Sequence, residues 1–450
     1  MSVLLPHEPQ LPHLATLLDR ERMSGVLSSA LWGPQAVPGQ CDIERVKYRP
    51  RRHCLVVYRL QARRAAGDPH DVVRVACRTY PRGGASARLE KARREGKAAA
   101  GRVLDLAAQE AVAWVFPRDR KLPHLARLTD PARLAREVVP ALSHALRPGE
   151  PVARLCDHAL VHYVPEHACS VRLVLGFADA RCIVYGKTYL DEGSDDGGRS
   201  AWANLGQAWQ LTREHAAVRV PRPLHYEFAR CTAWQAAVAG TPVAELPALD
   251  TTAQARLARA IAAFHGLAFT GLPGVAPIDL VSRVRASSDL VGQALPAEGA
   301  RLSALAARIS PERIARLWDG PQGSLHGDLH PGNLLMGALP PALIDLDGLR
   351  RGPAALDLGS WAADRICRAA LAGVPLAPVH AQIEHFRRMY AASTTLPVSA
   401  GDLALATVLA LLTERALRAV TRLKPGRLAL VPTLLTVAGH LLGATHGSAA

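Results

Sequence analysis

Lysine is scarce in this chain: six of its 54 basic side chains are lysine, and the rest are arginine. Aromatic residues are few as well, at 5%. The eight cysteines stand singly at 41, 54, 77, 156, 169, 182, 231 and 367, with no CxxC pair. That spacing argues against a zinc site and against a disulfide framework. Several fall in apolar, strand-like runs, where a free thiol behaves as a small hydrophobe, and a reducing cytoplasm is the expected compartment. The start, MSVLLPHEPQLPHLA, is proline-broken and lacks the basic opening of a secretory signal. The most apolar stretch, Leu428 to Ala444, is interrupted by Pro432 and His440. It falls short of the roughly 20 residues that a bilayer span needs, so a buried C-terminal helix is expected there and no membrane span.

What the chain does have is length and positive charge. With 450 residues, 49% of them hydrophobic, it can bury a large core spread over two or three domains. The net charge of +15 is uneven, for residues 1–150 hold 26 Lys and Arg against 15 Asp and Glu. RVKYRPRR, residues 45–52, is the densest point. A basic patch can bind nucleic acid, anionic lipid or phosphorylated sugars. Here the charges alternate with strand-forming residues and lack aromatic interleaving. A solvated strand face is expected, with no specific nucleic-acid partner.

A repeat organises the first half. Tyr48-x-Pro50-x-x-x-Cys54-x-Val56 recurs as Tyr163-x-Pro165-x-x-x-Cys169-x-Val171. Each copy continues into a second apolar run with a similar ending, VRVACRTY at 73–80 and CIVYGKTY at 182–189. Each then meets a glycine-containing loop, a helix-like stretch (85–100 and 200–211) and paired apolar strands. The common order is strand–strand–strand–helix–strand–strand, which points to duplication. RPGEP at 147–151 reads as the linker between the copies, and a second boundary lies at 240–250. Beyond it the pattern turns helical, with Asp250 or Thr251 as the N-cap.

One loop-and-strand segment interrupts those helices. Residues 324–349 read SLHGDLHPGNLLMGALPPALIDLDGL. Its HGDxHxxN core followed by I-D-x-D resembles the catalytic and metal-binding loops of the aminoglycoside phosphotransferase, choline kinase and maltokinase superfamily. The resemblance covers residues 151–450, and the first copy only through the repeat. It implies an α+β, protein-kinase-like bilobal fold, with an antiparallel-sheet small lobe, a mostly helical large lobe and here an extra small-lobe-like module. The expected divisions are an N-terminal segment at 1–30, a cap module at 31–146, a nucleotide-binding small lobe at 151–245 and a helical large lobe at 246–450.

The resemblance makes Asp328 the acceptor of the substrate hydroxyl's proton, and Asn333 and Asp345 the magnesium ligands. Elementary chemistry agrees, because phosphoryl transfer needs positioning, a proton acceptor and cations on the phosphate oxygens. Hard oxygen donors on a sparse frame suit magnesium. Asp347, two residues beyond Asp345 on an expected strand, would share its face. His326 is expected to support the loop, His330 either to pack within it or to contact phosphate, and Asp357 resembles the acid that braces it from the next helix. Lys187, the sole lysine between residues 122 and 423, matches the strand lysine that grips the ATP phosphates, where a compact ammonium serves better than a wide guanidinium fork. Gly186-Lys187-Thr188 is not a P-loop, since the required glycine is replaced by Arg181.

Two features depart from the kinase pattern. The helix after Lys187 has no glutamate to pair with it, Glu192 and Glu214 lying outside, so Gln207 is the candidate partner. The turn PEHAC between the first two strands of the second copy lacks glycine. The hinge that meets adenine would follow AWQAAVAG at 233–240. The function expected is an ATP-dependent small-molecule kinase acting on an alcohol group, with a sugar or related polyol or amino sugar as acceptor. An aminoglycoside or choline-type kinase and a non-catalytic pseudokinase are the alternatives. From Asp357 to the end five acids face nine Lys and Arg, which disfavours a polycationic acceptor and favours a neutral or anionic one. The first copy has Arg78 where the second has Lys187 and no HGDxHxxN loop of its own. It is therefore expected to be a retired, structural small lobe.

Overall fold

The computed structural model describes residues 5, 6, 8–94, 103–193 and 195–444. Two short helices open it, α1 (Leu14–Leu18) and α2 (Arg20–Trp32), the second capped by Asp19, whose carboxylate accepts from the Glu21 and Arg22 amides. Five strands follow, β1 (Cys41–Arg49), β2 (His53–Ala62), β3 (Asp71–Thr79), β4 (Val103–Leu106) and β5 (Ala111–Val115), with α3 (Gly84–Arg94) between β3 and β4. The remainder of the helix expected over 85–100 lies outside the described residues. Three helices, α4 (Leu125–Leu128), α5 (Pro131–Glu137) and α6 (Val139–Leu146), lead into β6 (Arg154–Val164), β7 (Ala168–Gly176), β8 (Arg181–Tyr189), α7 (Arg199–Thr212), β9 (Pro223–Glu227) and β10 (Thr232–Ala236).

Both sheets have the same antiparallel order, β1-β2-β3-β5-β4 and β6-β7-β8-β10-β9. Their registers agree as well: Tyr48 faces Cys54 as Tyr163 faces Cys169. Left-handed residues fall at matching places, Arg51 and Glu166 in the first turns, Glu110 and Cys231 before the last strands. The likeness reaches further upstream than the sequence reading took it. LPHLATLLD at 11–19 and LPHLARLTD at 122–130 share seven of nine residues. Their aspartates, Asp19 and Asp130, both cap helices. The second copy therefore starts before the linker expected at 147–151, and the segment before residue 31 is part of the first.

Period-two alternation buries both faces of the first sheet. Tyr48, Val56 and Tyr58 join the core under α1 and α2, while Leu55 and Val57 pack with α4–α6 and with Cys169, Val171 and Trp234 of the second sheet. At roughly 1.5–3 kcal/mol for each large apolar side chain so buried, this shared core ties the sheets together.

The rest is largely helical, after a short β11 (Thr241–Pro242). α8 (Thr251–His265) is capped by Asp250, whose carboxylate accepts from the Ala253 amide at 2.7 Å. α9 (Pro277–Ala294), α10 (Pro296–Ala307) and α11 (Pro311–Ala315) precede a hairpin region of β12 (Gly323–Leu325), β13 (Leu334–Met336), β14 (Ala342–Leu343) and β15 (Arg350–Gly352). Then come α12 (Ala355–Leu371), α13 (Leu376–Ala391), α14 (Ala400–Ala410), α15 (Leu417–Arg422) and α16 (Val431–Ala444). The last is the C-terminal helix expected from the apolar run, with Leu434, Leu435 and Ala438 buried. Among the described residues no helix is long and apolar enough to cross a membrane, and all eight cysteines are free thiols.

Candidate active site

The segment that carries the HGDxHxxN motif is pinned at both ends by short strands. β12 pairs with β15, Leu325 facing Arg350, and β13 pairs with β14, Leu334 facing Leu343. Gly327 holds φ 81° where an added Cβ would lie 2.0 Å from the Gly348 carbonyl, so only glycine fits the turn. Asp357, fully buried at the start of α12, accepts from the amides of His326 (2.6 Å) and Gly327 (3.0 Å) and lies 3.2 Å from His265 Nε2. Burial opposes its ionisation, but these contacts outweigh that and hold its carboxyl below the usual range. It braces the loop from the next helix.

His326 is also buried. Its Nε2 lies 2.9 Å from the Ile344 carbonyl, and its Nδ1 is 3.4 Å from the Asp328 amide. His330 Nδ1 accepts from the Gly332 amide at 3.0 Å, while its Nε2 stands 3.8 Å from Asp328. Burial lowers the His330 pKa despite Asp328, so the ring is neutral at pH 7. The Asn333 amide nitrogen donates to the Asp328 carbonyl at 3.1 Å, which commits that end of the side chain and leaves Oδ1 as its acceptor atom.

Asp345 is not on a strand. β14 ends at Leu343, Asp345 takes a left-handed conformation (φ 60°, ψ 61°), and Leu346–Gly348 form a 3-10 turn. The expected pairing of carboxylates survives for a different reason. Lys187 Nζ donates to Asp345 at 2.8 Å and to Asp347 at 2.6 Å, and Tyr189 Oη donates to Asp347 at 3.0 Å. The turn, rather than strand alternation, brings both carboxylates to one ammonium. Burial alone would depress the Lys187 pKa, and the two aspartates raise it instead. Among the described residues no group of three or more His, Cys, Asp or Glu could hold a metal.

Residues 207–392 match the model of the phosphotransferase enzyme family, APH. The match covers less than half of the chain. It contains the HGD loop, Asp345 and Asp357, and it supports the small-molecule kinase class to which the motif pointed. No curated protein matches the chain. Among solved structures it is similar to a choline kinase from Cryptosporidium parvum, at 13% identity and a TM-score of 0.45, over 71% of this chain and 97% of that one. A choline/ethanolamine kinase family protein from Mesorhizobium loti gives 14% and 0.43, over 71% and 100%. An aminoglycoside phosphotransferase from Streptomyces rimosus gives 19% and 0.40, over 61% and 96%.

Lys187 and the first sheet lie outside the phosphotransferase-family match. Gly186, before that lysine, packs against Trp234, whose ring lies 2.4 Å from any added Cβ. The glycine serves packing, which accounts for a GKT sequence that is no P-loop. Gln207 does not reach Lys187. Its side chain is spent on Thr270, accepting from the amide at 3.0 Å and the hydroxyl at 3.1 Å. Asp345 and Asp347 are the partners that Lys187 has in place of a helix glutamate.

Two further contacts escaped the sequence reading. Arg418 of α15 donates to Asp328 Oδ1 at 3.1 Å. Burial works against ionisation of Asp328, but Arg418 and His330 overcome it and lower its pKa. The glycine-free turn of the second sheet is clamped through Glu166, which takes Arg120 in a fork (2.9 and 2.8 Å) and Arg78 at 2.8 Å. No local pattern marks either contact, since the partners lie 46 to 90 residues apart. A cavity of about 830 Å³ lies away from the HGD loop, between the sheets, lined by Tyr80, Trp114, Arg120, Tyr189 and Phe228 among others.

Proposed function

We propose that the chain is an ATP- and magnesium-dependent kinase that transfers the γ-phosphoryl group of ATP to a hydroxyl of a small molecule, a sugar or related polyol or amino sugar. The observation that carries this reading is the convergence of Asp328, Asn333 and Asp345 on one braced hairpin, with Lys187 of the second sheet meeting Asp345. In the transfer the acceptor oxygen forms a bond to γ-phosphorus as the bond to the ADP oxygen breaks, and the hydroxyl proton passes to Asp328. Its lowered pKa keeps Asp328 ionised and able to orient that hydroxyl. Lys187 would turn from the aspartates to the nucleotide phosphates.

The donor set fits magnesium: a free amide oxygen on Asn333 and a carboxylate on Asp345, both hard oxygens, with the phosphates to complete the shell. When bound, the ion neutralises charge on the phosphate oxygens. A cationic acceptor fits less well, because Arg418 already stands on Asp328. Replacing Asp328 by asparagine is expected to slow turnover roughly 10²–10⁴-fold while ATP affinity holds. Unchanged turnover would overturn the assignment. Arg418→Ala removes the main charge that holds the Asp328 pKa down. A base is lost as pH falls through its pKa, so the acid limb of kcat/KM is expected to move to higher pH in that variant.

A further inference from the structure

The first sheet touches the large lobe beside the HGD loop. β1 packs against α15, the helix that carries Arg418. Along the expected basic strand, Lys47, Arg49, Arg51 and Arg52 are exposed, but Arg45 is not. A bulge between Ile43 and Arg45 shifts the register of β1 there, the kind of irregularity that re-aims a side chain. Arg45 is hydrogen-bonded to His162 of β6.

Arg422 lies four residues beyond Arg418 on α15, on the same helical face. One turn, about 6 Å along the axis, separates it from the group that touches Asp328. Lys424 follows two residues on, just past the end of the helix. The nearby acids are already engaged, Asp328 with Arg418, and Asp364 and Glu414 with the buried Arg415. Among the described residues neither Arg422 nor Lys424 has an ion-pair partner. Arg422 and Lys424 are exposed, yet partial desolvation, then Arg418 and Arg45, push the Arg422 pKa down to about 10. Neighbouring cations without a counter-charge form a ready anion site.

Resting on the kinase reading above, we propose that the acceptor is an anionic polyol. Its phosphate or carboxylate is held between Arg422 of α15 and Arg45 of the first sheet, with its hydroxyl one helical turn away at Asp328. The first sheet thereby completes the acceptor site. Each charge-assisted contact of this kind is expected to supply roughly 10- to 100-fold in affinity.

The test is ATP consumption with ribose 5-phosphate and gluconate, one for each anionic group, beside ribose, choline and kanamycin. MgATP binding by titration calorimetry is followed in parallel. Turnover with an anionic acceptor is expected, and which of the two is used identifies the group. Arg422→Ala and Arg45→Ala are each expected to raise KM for it at least about tenfold. The dissociation constant for MgATP should stay at the wild-type value, and Arg45→Lys, which keeps the charge, should hold KM near wild type. Preference for ribose, choline or kanamycin, or Arg variants with wild-type KM, would overturn the proposal. Wild-type protein that binds MgATP yet turns over neither anion would overturn it too, leaving the kinase reading in place. Failure to bind MgATP at all would sink both.

Discussion

The two five-stranded sheets share strand order, register and left-handed turn positions, yet the side chains at their matching third-strand positions do different work. Each first turn is held in the same way. Tyr48 and the Arg51 amide donate to one oxygen of Glu8, while Tyr163 and the Glu166 amide donate to one oxygen of Asp119. At the next level the copies part. Arg78 spans the sheet interface to Glu166, and Lys187 crosses to Asp345 and Asp347 of the large lobe. A guanidinium fork suits a fixed, partly buried carboxylate, whereas an ammonium can exchange aspartates for phosphates as a point charge. One scaffold thus supplies a tie between the sheets in one copy and a tie to the large lobe in the other.

This contrast can be broken experimentally. The largest effect is expected from Lys187→Ala, with kcat/KM for ATP falling roughly 10²–10³-fold, the usual worth of one electrostatic contact to the transferring group. Arg78→Ala should stay within a few-fold of wild type in the same assay. Equal losses in the two would mean that the working sheet has been misassigned. A smaller effect is expected from Glu166→Ala, which leaves Arg78 and Arg120 without their carboxylate. A stability loss of about 1–3 kcal/mol, read by urea unfolding, should accompany a modest rise in KM for ATP as the turn loses its clamp. Unchanged unfolding would show that the tie between the sheets is idle.

Much of this arrangement can be read from local pattern. The Tyr-x-Pro-x-x-x-Cys repeat marks the turn that each carboxylate holds. The HGDxHxxN spacing gathers Asp328 and Asn333 because the one loop between β12 and β13 contains both. Asp357 is legible for the same reason, since α12 follows the hairpin directly. The LPHLA repeat was equally local, and its position before the supposed linker concealed it. Asp345 illustrates the limit of strand periodicity, because a left-handed residue and a 3-10 turn did what alternation was expected to do. Gln207 was a plausible partner by helix position alone, but Thr270 from a distant loop took it first. Arg418, Arg45 and the Glu166 clamp depend on contacts between remote segments, which leave no periodic trace.

The central claim, that Asn333 and Asp345 present magnesium to a nucleotide gripped by Lys187, is tested most directly by ATP titration with and without magnesium. Calorimetry on the wild-type protein is expected to show tighter binding with the ion present, and Asp345→Ala should lose that advantage. Equal ATP affinity with and without magnesium in the wild type would contradict the account.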